Sequence, residues 1–177
     1  NWYVNNYNDL IDFSEQELVD CDNTDNGCNG GLMSNGFNYI KNNGICKYDN
    51  YSYNGKVSWF CKNYCTKYPK LNGCYKVPSN NIDMLKNAVR QNAVSIAIEA
   101  DSSYFQHYSS GILDDKLKCG DNLDHGVLLV GFGIENNKKY WLVKNSWGKD
   151  WGDNGYIKIA MDNNNVCGVL SMPTYPY

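Results

Sequence analysis

Apolar and polar positions follow two rhythms along the chain, helical in the first half and strand-like in the second. Ser14-Glu15-Gln16-Glu17-Leu18 has the form of a capping box, with Ser14 capping the amide three residues on and Glu17 reaching back. It predicts a short helix to about Asp20. Leu32, Met33, Phe37 and Ile40 then recur at helical spacing, with Gly44 placed to stop the turn. A third helix is predicted over 79–92, where Ile82, Leu85 and Val89 share a face. Beyond it the pattern shortens to strands over 94–99, 125–133, 139–144 and 155–160. The polar turn Glu135-Asn136-Asn137-Lys138 joins two of them as a hairpin.

Residues 45–74 lack periodicity and are rich in Tyr, Asn and Cys, which reads as a long excursion held by disulfides. A helical half followed by a β half is an α+β arrangement. The division expected is a helical part over 1–75 and a β-rich part over 76–177. Hydrophobic residues make up 42% of the 177, ample for a packed core and against disorder. The formal net charge is −3 and no basic stripe is present, so no nucleic-acid surface is expected. No run of 18 apolar residues exists, so no membrane span is expected either. Asn1-Trp2-Tyr3-Val4 carries no signal-peptide pattern, as holds both for a secreted protein after processing and for a fragment.

Eight cysteines admit two readings. Zinc sites need close Cys/His pairs, and the nearest spacing here is Cys61-x-x-x-Cys65 with only two histidines in the chain. Dispersed cysteines in loop-rich sequence favour disulfides and an oxidising compartment. Asn50-Tyr51-Ser52, a glycosylation acceptor triplet, agrees with that compartment.

The two histidines differ in setting. His107 lies in the aromatic segment Tyr104-Phe105-Gln106-His107-Tyr108 and reads as a surface or packing residue. His125 opens the apolar strand His125-Gly126-Val127-Leu128-Leu129-Val130, where a strand anchors it rigidly at its mouth. Asn145 ends the partner strand, at a similar distance from the turn near Asn136. An amide there can hold one ring nitrogen and leave the other for a nucleophile, with Trp147 covering the contact. The spacing also fits a core histidine satisfied by a neighbour.

The segments Ser14-Glu15-Gln16-Glu17-Leu18-Val19-Asp20-Cys21, Gly27-Cys28-Asn29-Gly30-Gly31-Leu32-Met33, Asp124-His125-Gly126-Val127 and Lys144-Asn145-Ser146-Trp147-Gly148 bear on that choice. Together with Trp151-Gly152-Asp153-Asn154-Gly155-Tyr156 and Val166-Cys167-Gly168-Val169, they resemble the papain family of cysteine peptidases, closest to its cathepsin L-like branch. The resemblance implies a two-domain fold, a helical left domain packed on a β-barrel-like right domain with the cleft between them. It implies a Cys-His-Asn endopeptidase in which His125 is the base, Asn145 orients it and Trp147 shields the pair. No metal or organic cofactor is implied. The implied partners are peptide or protein substrates, a propeptide and cystatin-like inhibitors, in a lysosomal, endosomal or secreted setting.

The family's nucleophilic Cys precedes its His by roughly 130–150 residues, in a Cys-Gly-Ser-Cys-Trp-like motif that these 177 residues do not contain. The expectation is that the nucleophile lies roughly 5–25 residues before Asn1, with residues 1–9 ending the helix that starts there. The Gln of the oxyanion hole would lie upstream too, and these residues alone would be inactive. The chain is read either as a fragment or as a shortened relative that binds peptides or partners without cleaving them. By resemblance Cys21 pairs with Cys61, Cys119 with Cys167 and Cys46 with Cys65. Cys28 lacks its usual partner, and Cys74 is expected to be a buried free thiol. Substrate-pocket positions carry over to Leu32, Met33, Ala97, Leu123 and Met172 beside Asp124, with Gly30 and Gly31 as the backbone edge for an extended substrate. An apolar wall implies a bulky apolar residue at the second position before the cut; apart from the resemblance these are also ordinary core residues.

Overall fold

The computed structural model describes residues 10–62, 64–68, 71–162 and 164–177. The helix end expected over 1–9 lies outside the described residues. The chain divides into two units, Asn1–Tyr75 with Pro176–Tyr177, and Lys76–Tyr175. The last two residues join the first unit because Tyr177 pairs with residues 72–73. Its carbonyl accepts from Asn72 N–H (2.7 Å) and Gly73 N–H (3.1 Å), and its own N–H donates to Gly73 O (3.0 Å).

In the first unit, α1 (Glu15–Cys21) begins where Ser14 Oγ accepts from Glu17 N–H at 2.9 Å. The reciprocal half of the box is not made. Ser14 N–H donates instead to Cys46 O (3.0 Å), and the fully buried Glu17 carboxylate turns inward to accept from Cys46 N–H (2.7 Å) and Tyr39 Oη (2.9 Å) and to pair with Lys67. A tertiary partner has displaced the local one because a carboxylate inside the protein needs several donors. Helix α2 (Met33–Asn43) ends at Gly44, whose φ of 71° lets its N–H close onto Ile40 O. The unit's small core is Cys21, Cys46 and Tyr51, with Tyr39, Cys61 and Cys65 packed against it. Disulfides Cys21–Cys61 and Cys46–Cys65 close it.

The second unit carries the larger core, with α3 (Ile82–Gln91) burying Leu85, Ala88 and Val89. It starts three residues later than the spacing predicts. Asn81 is the cap, accepting from Met84 N–H, while Ser79 Oγ donates to Ser171 O (2.6 Å) and Asn80 has a φ of 56°. Among the described residues one sheet runs in the order β1-β7-β2-β4-β5-β6-β3. Its strands are β1 (Cys74–Lys76), β2 (Val94–Ile98), β3 (Ile112–Leu113), β4 (His125–Glu135), β5 (Lys138–Lys144), β6 (Tyr156–Ala160) and β7 (Thr174–Pro176). The sequence pattern misses β1, β3 and β7, which are too short to show a period. Cys74, expected to be buried, is a free thiol half-buried in β1, a three-residue strand none of whose residues is fully buried. Asn136 and Asn137, with φ of 49° and 62°, form the two-residue turn that matches strand twist. Disulfide Cys119–Cys167 ties the loop before β4 to the loop after β6.

Glu17→Ala should strand the Cys46 N–H and the Lys67 ammonium, lowering the stability of the intact protein by about 3 kcal/mol. Urea unfolding measures it, and Glu17→Gln should recover part of the loss. Burial opposes ionisation of Asp20, but Ser58 N–H, Tyr51 Oη and the Gln16 amide all donate to its carboxylate and hold its pKa below the usual range. A depressed folded-state pKa gives stability that is present above the unfolded value of ~3.9 and is lost as pH falls through the folded one. The stability gap between wild type and Asp20→Asn should therefore be flat from about pH 5 to 7 and shrink below about pH 4. A gap that widens in acid would contradict this.

Candidate active site

Strand β4 leaves its partner β5 in two registers. From Glu135↔Lys138 to Gly131↔Leu142 the paired numbers add to a constant, and between Leu129 and Gly131 the register shifts by one, to Leu129↔Val143 and Leu128↔Lys144. Val130 is the extra residue of a β-bulge. Side chains alternate faces along a strand, so a one-residue shift decides which face every residue beyond it occupies. Continued past Lys144, the shifted register sets Asn145 opposite Val127, on the face that also holds His125. Without the bulge Asn145 would fall opposite Leu128 and point to the other face. The His and Asn are therefore diagonal neighbours, and not the directly opposed pair that equal distance from the turn suggests. On the other flank His125 pairs with Ile98 of β2, in a row whose Val94, Ile96 and Ile98 are fully buried.

Asn145 Oδ1 lies 2.9 Å from His125 Nε2 and accepts from Ser146 N–H at 2.8 Å. A backbone amide can only donate, so the atom turned towards the imidazole is the amide oxygen. Nε2 must then carry a proton. In the neutral ring this leaves Nδ1 as the unprotonated nitrogen, and among the described residues it has no hydrogen-bond partner. Asn145 is 7% exposed, and its Nδ2 is a buried donor without a protein partner. A buried donor left open in this way costs free energy. His125 is half-buried, and beside it Gly126 is exposed, with no atom within 4 Å of where a Cβ would stand.

Trp147 lies over the His125 ring, with centroids 5.1 Å apart and planes tilted 33°. Phe105 meets Trp147 edge-on at 5.6 Å, and Trp151 meets it at 5.4 Å. Phe105 comes from α4 (Ser103–Gln106), a single turn capped by Ser102 Oγ, and is fully buried. Trp151 is fixed by its Nε1–H donating to Gln106 O at 3.0 Å. Sequence reasoning missed Phe105, Trp151 and Val130. The aromatic run 104–108 held the signal for the first. His107 is exposed, as a surface residue, with its Nδ1 3.0 Å from Ser103 O of its own turn.

Asp124 does not line a pocket with its carboxylate. Oδ1 accepts from Ala100 N–H (2.7 Å) and Oδ2 from Asp101 N–H (3.2 Å), while its own N–H donates to Ile98 O. It ties the entrance of β4 to the exit of β2, which holds His125 in place. Ala97, Leu123 and Met172 lie in the same unit, the first two half-buried and Met172 41% exposed. In the first unit, Met33 is half-buried and Leu32 half exposed. Both main-chain groups of Gly30 are used internally, N–H to Gly27 O and carbonyl from Asn26 N–H, so Gly30 is not a free edge. Gly31 is, with no hydrogen bond on its main chain among the described residues. A Cβ there would lie 2.2 Å from Asp25 Cγ, so only glycine fits. Glu17, Cys46 and Cys65 come close enough to suggest a metal site, but both sulfurs are joined in a disulfide and cannot act as thiolates.

The sequence profile described as "Papain family cysteine protease" matches residues 1–177. The chain belongs to this family. Papain-family relatives include Cysteine proteinase RD21A of Arabidopsis thaliana, 48% identical over 177 residues, covering 95% of this chain and 37% of the relative. Cysteine proteinase 2 of Entamoeba histolytica is 44% identical over 171 residues, covering 94% and 53%. The chain thus spans between about a third and about half of these relatives. Among solved structures, the proform of the ragweed pollen allergen Amb a 11 aligns over 99% of this chain and 49% of its own, with a TM-score of 0.93 and 36% identity. The bromelain protease from Ananas comosus, solved with the E64 inhibitor, aligns over 98% and 81%, with a TM-score of 0.90 and 35% identity. The fold is papain-like.

Deleting Val130 should restore one uninterrupted register and turn Asn145 away from His125. The slowly exchanging Nε2–H resonance of His125 in ¹⁵N NMR of the intact protein should vanish, as it should in Asn145→Ala. Its persistence in the deletion variant would show that the bulge does not set the pair.

Proposed function

We propose that this chain carries the base and orienting amide of a cysteine endopeptidase, with His125 and Asn145 acting on a cysteine that lies outside these 177 residues. The observation that carries this reading is the fixed amide. Asn145 Oδ1, locked by Ser146 N–H, holds the proton on His125 Nε2 and leaves Nδ1 as the basic nitrogen. A thiol placed at Nδ1 transfers its proton to the ring, giving a thiolate–imidazolium pair. The thiolate attacks the peptide carbonyl, the imidazolium protonates the leaving amine, and water then hydrolyses the acyl-enzyme with His125 as base. Trp147 keeps water from the His–Asn contact, which strengthens it. Each step uses side chains and water. Without the cysteine these residues alone are inactive.

Gly31 offers a free main-chain edge for an extended peptide, and within the second unit Ala97, Leu123 and Met172 supply apolar surface for the residue two before the cut. A basic side chain against that surface would be buried without a partner. The three disulfides among the described residues suit an oxidising compartment, lysosomal, endosomal or extracellular. The proform of the allergen relative suggests a propeptide here too, and cystatin-like inhibitors are the other partners proposed.

In the intact protein, His125→Ala should lower kcat/KM on a peptide substrate by at least about 100-fold, and Asn145→Ala by less. An epoxide inhibitor of the E64 type should label one cysteine upstream of Asn1. Full cleavage activity in His125→Ala would sink the proposal; labelling without cleavage would point to a peptide-binding relative. Substrates with Leu or Phe at the second position should be cleaved at least about tenfold faster than those with Arg, and a preference for Arg would refute the apolar pocket.

A further inference from the structure

Residues 51–70 hold six aromatic residues and four lysines and no Asp or Glu, in a chain of net charge −3. Tyr51 is buried in the small core, but the large side chains over 57–64 are not tucked away. Trp59 is 96% exposed, Phe60 81%, Tyr64 76% and Val57 56%. An unconstrained loop would fold such groups back onto the protein. Here the main chain is gripped from beneath by α1 and cannot. Gln16 Oε1 accepts from Asn54 N–H (2.9 Å), and Gln16 Nε2 donates to Lys56 O (2.7 Å). Asp20 Oδ1 accepts from Ser58 N–H (2.8 Å), and Tyr51 Oη accepts from Lys62 N–H (3.2 Å). Cys61 and Cys65 are anchored to Cys21 and Cys46. With its inward-facing backbone engaged, the loop presents Trp59 and Phe60 outward in a fixed pose.

The charged side chains of the loop itself are all lysines. Lys56 and Lys62 are exposed and have no carboxylate within ion-pair distance among the described residues. The one carboxylate bonded to the loop, Asp20, accepts Ser58 N–H, Tyr51 Oη and the Gln16 amide.

We infer that loop residues 53–62, with Tyr64, form a docking surface for an anionic lipid bilayer. Trp, Phe and Tyr with flanking Lys is the composition that seats at a headgroup boundary, the rings entering and the ammonium groups meeting anionic lipid. A sulfated polysaccharide or an acidic protein complements the lysines equally well. An acidic polymer, however, has no use for an indole and a phenyl ring held out in water. The rigid mounting favours a bilayer, because insertion costs little further ordering.

The experiment is flotation of the intact protein with vesicles of phosphatidylcholine, with and without phosphatidylserine, and it is independent of peptide cleavage. Binding is expected only with phosphatidylserine. It should fall at least about tenfold in Trp59→Ser/Phe60→Ser and in Lys56→Glu/Lys62→Glu, and weaken with salt. Unchanged disulfide content, far-ultraviolet circular dichroism and melting temperature in both variants show that they fold. No flotation of the wild type, or equal flotation of Trp59→Ser/Phe60→Ser, overturns the inference. So does binding to heparin with the same lysine dependence but no binding to vesicles.

Discussion

The two-residue turn at Asn136-Asn137 and the bulge at Val130 together set the register of β4 against β5, and the site depends on that register. A hairpin without the bulge would carry the same hydrophobic strands, the same His and the same Asn, but the last two would lie on opposite faces of the sheet. One inserted residue converts an eleven-residue strand into two segments with opposite facing. On the turn side, Phe132 faces the buried Trp141, and on the His125 side Leu129 faces Val143. The bulge thus satisfies the core on both sides of itself while bringing the polar pair together.

The imidazole is then over-determined. Ile98 pairs with it from β2, Asp124 ties the strand entrance to the turn after β2, Asn145 fixes its tautomer, and Trp147 covers it. Trp147 is itself wedged between Phe105 and Trp151, whose indole is hydrogen-bonded to Gln106 O. Each of these supports removes a different degree of freedom from the ring, as the proposed role of base requires.

The first unit solves a different problem with the same economy of means. It has little apolar core, so one seven-residue helix supplies buried polar side chains that act as brackets. Glu17 holds Cys46, Tyr39 and Lys67, while Gln16 and Asp20 hold the main chain of the loop beyond Tyr51. Buried polar groups are acceptable where they are fully partnered, and here the partners are main-chain groups of the loop and of Cys46 together with the side chains of Tyr39 and Lys67. The disulfides limit how far the loop can open; the brackets decide how it lies.

Local chemistry was legible in the sequence. The Ser14 cap, the Gly44 stop, α3, four strands and the Asn136-Asn137 turn follow from side-chain size, φ preference and period, which act over a few residues. The pairing of His125 with Asn145 was half legible. Both residues stand at strand ends near each other, but their shared face depends on a bulge that leaves no mark in the hydrophobic pattern around Val130. Glu17 shows the same limit. Its spacing from Ser14 predicts a capping box, yet the carboxylate goes to Cys46 and Lys67, 29 and 50 residues away, because burial makes those donors worth more than the local one. The sequence by itself determined the elements and the chemistry available to them. Only the tertiary structure decided which face, which partner and which tautomer, since those depend on contacts between residues far apart in the chain.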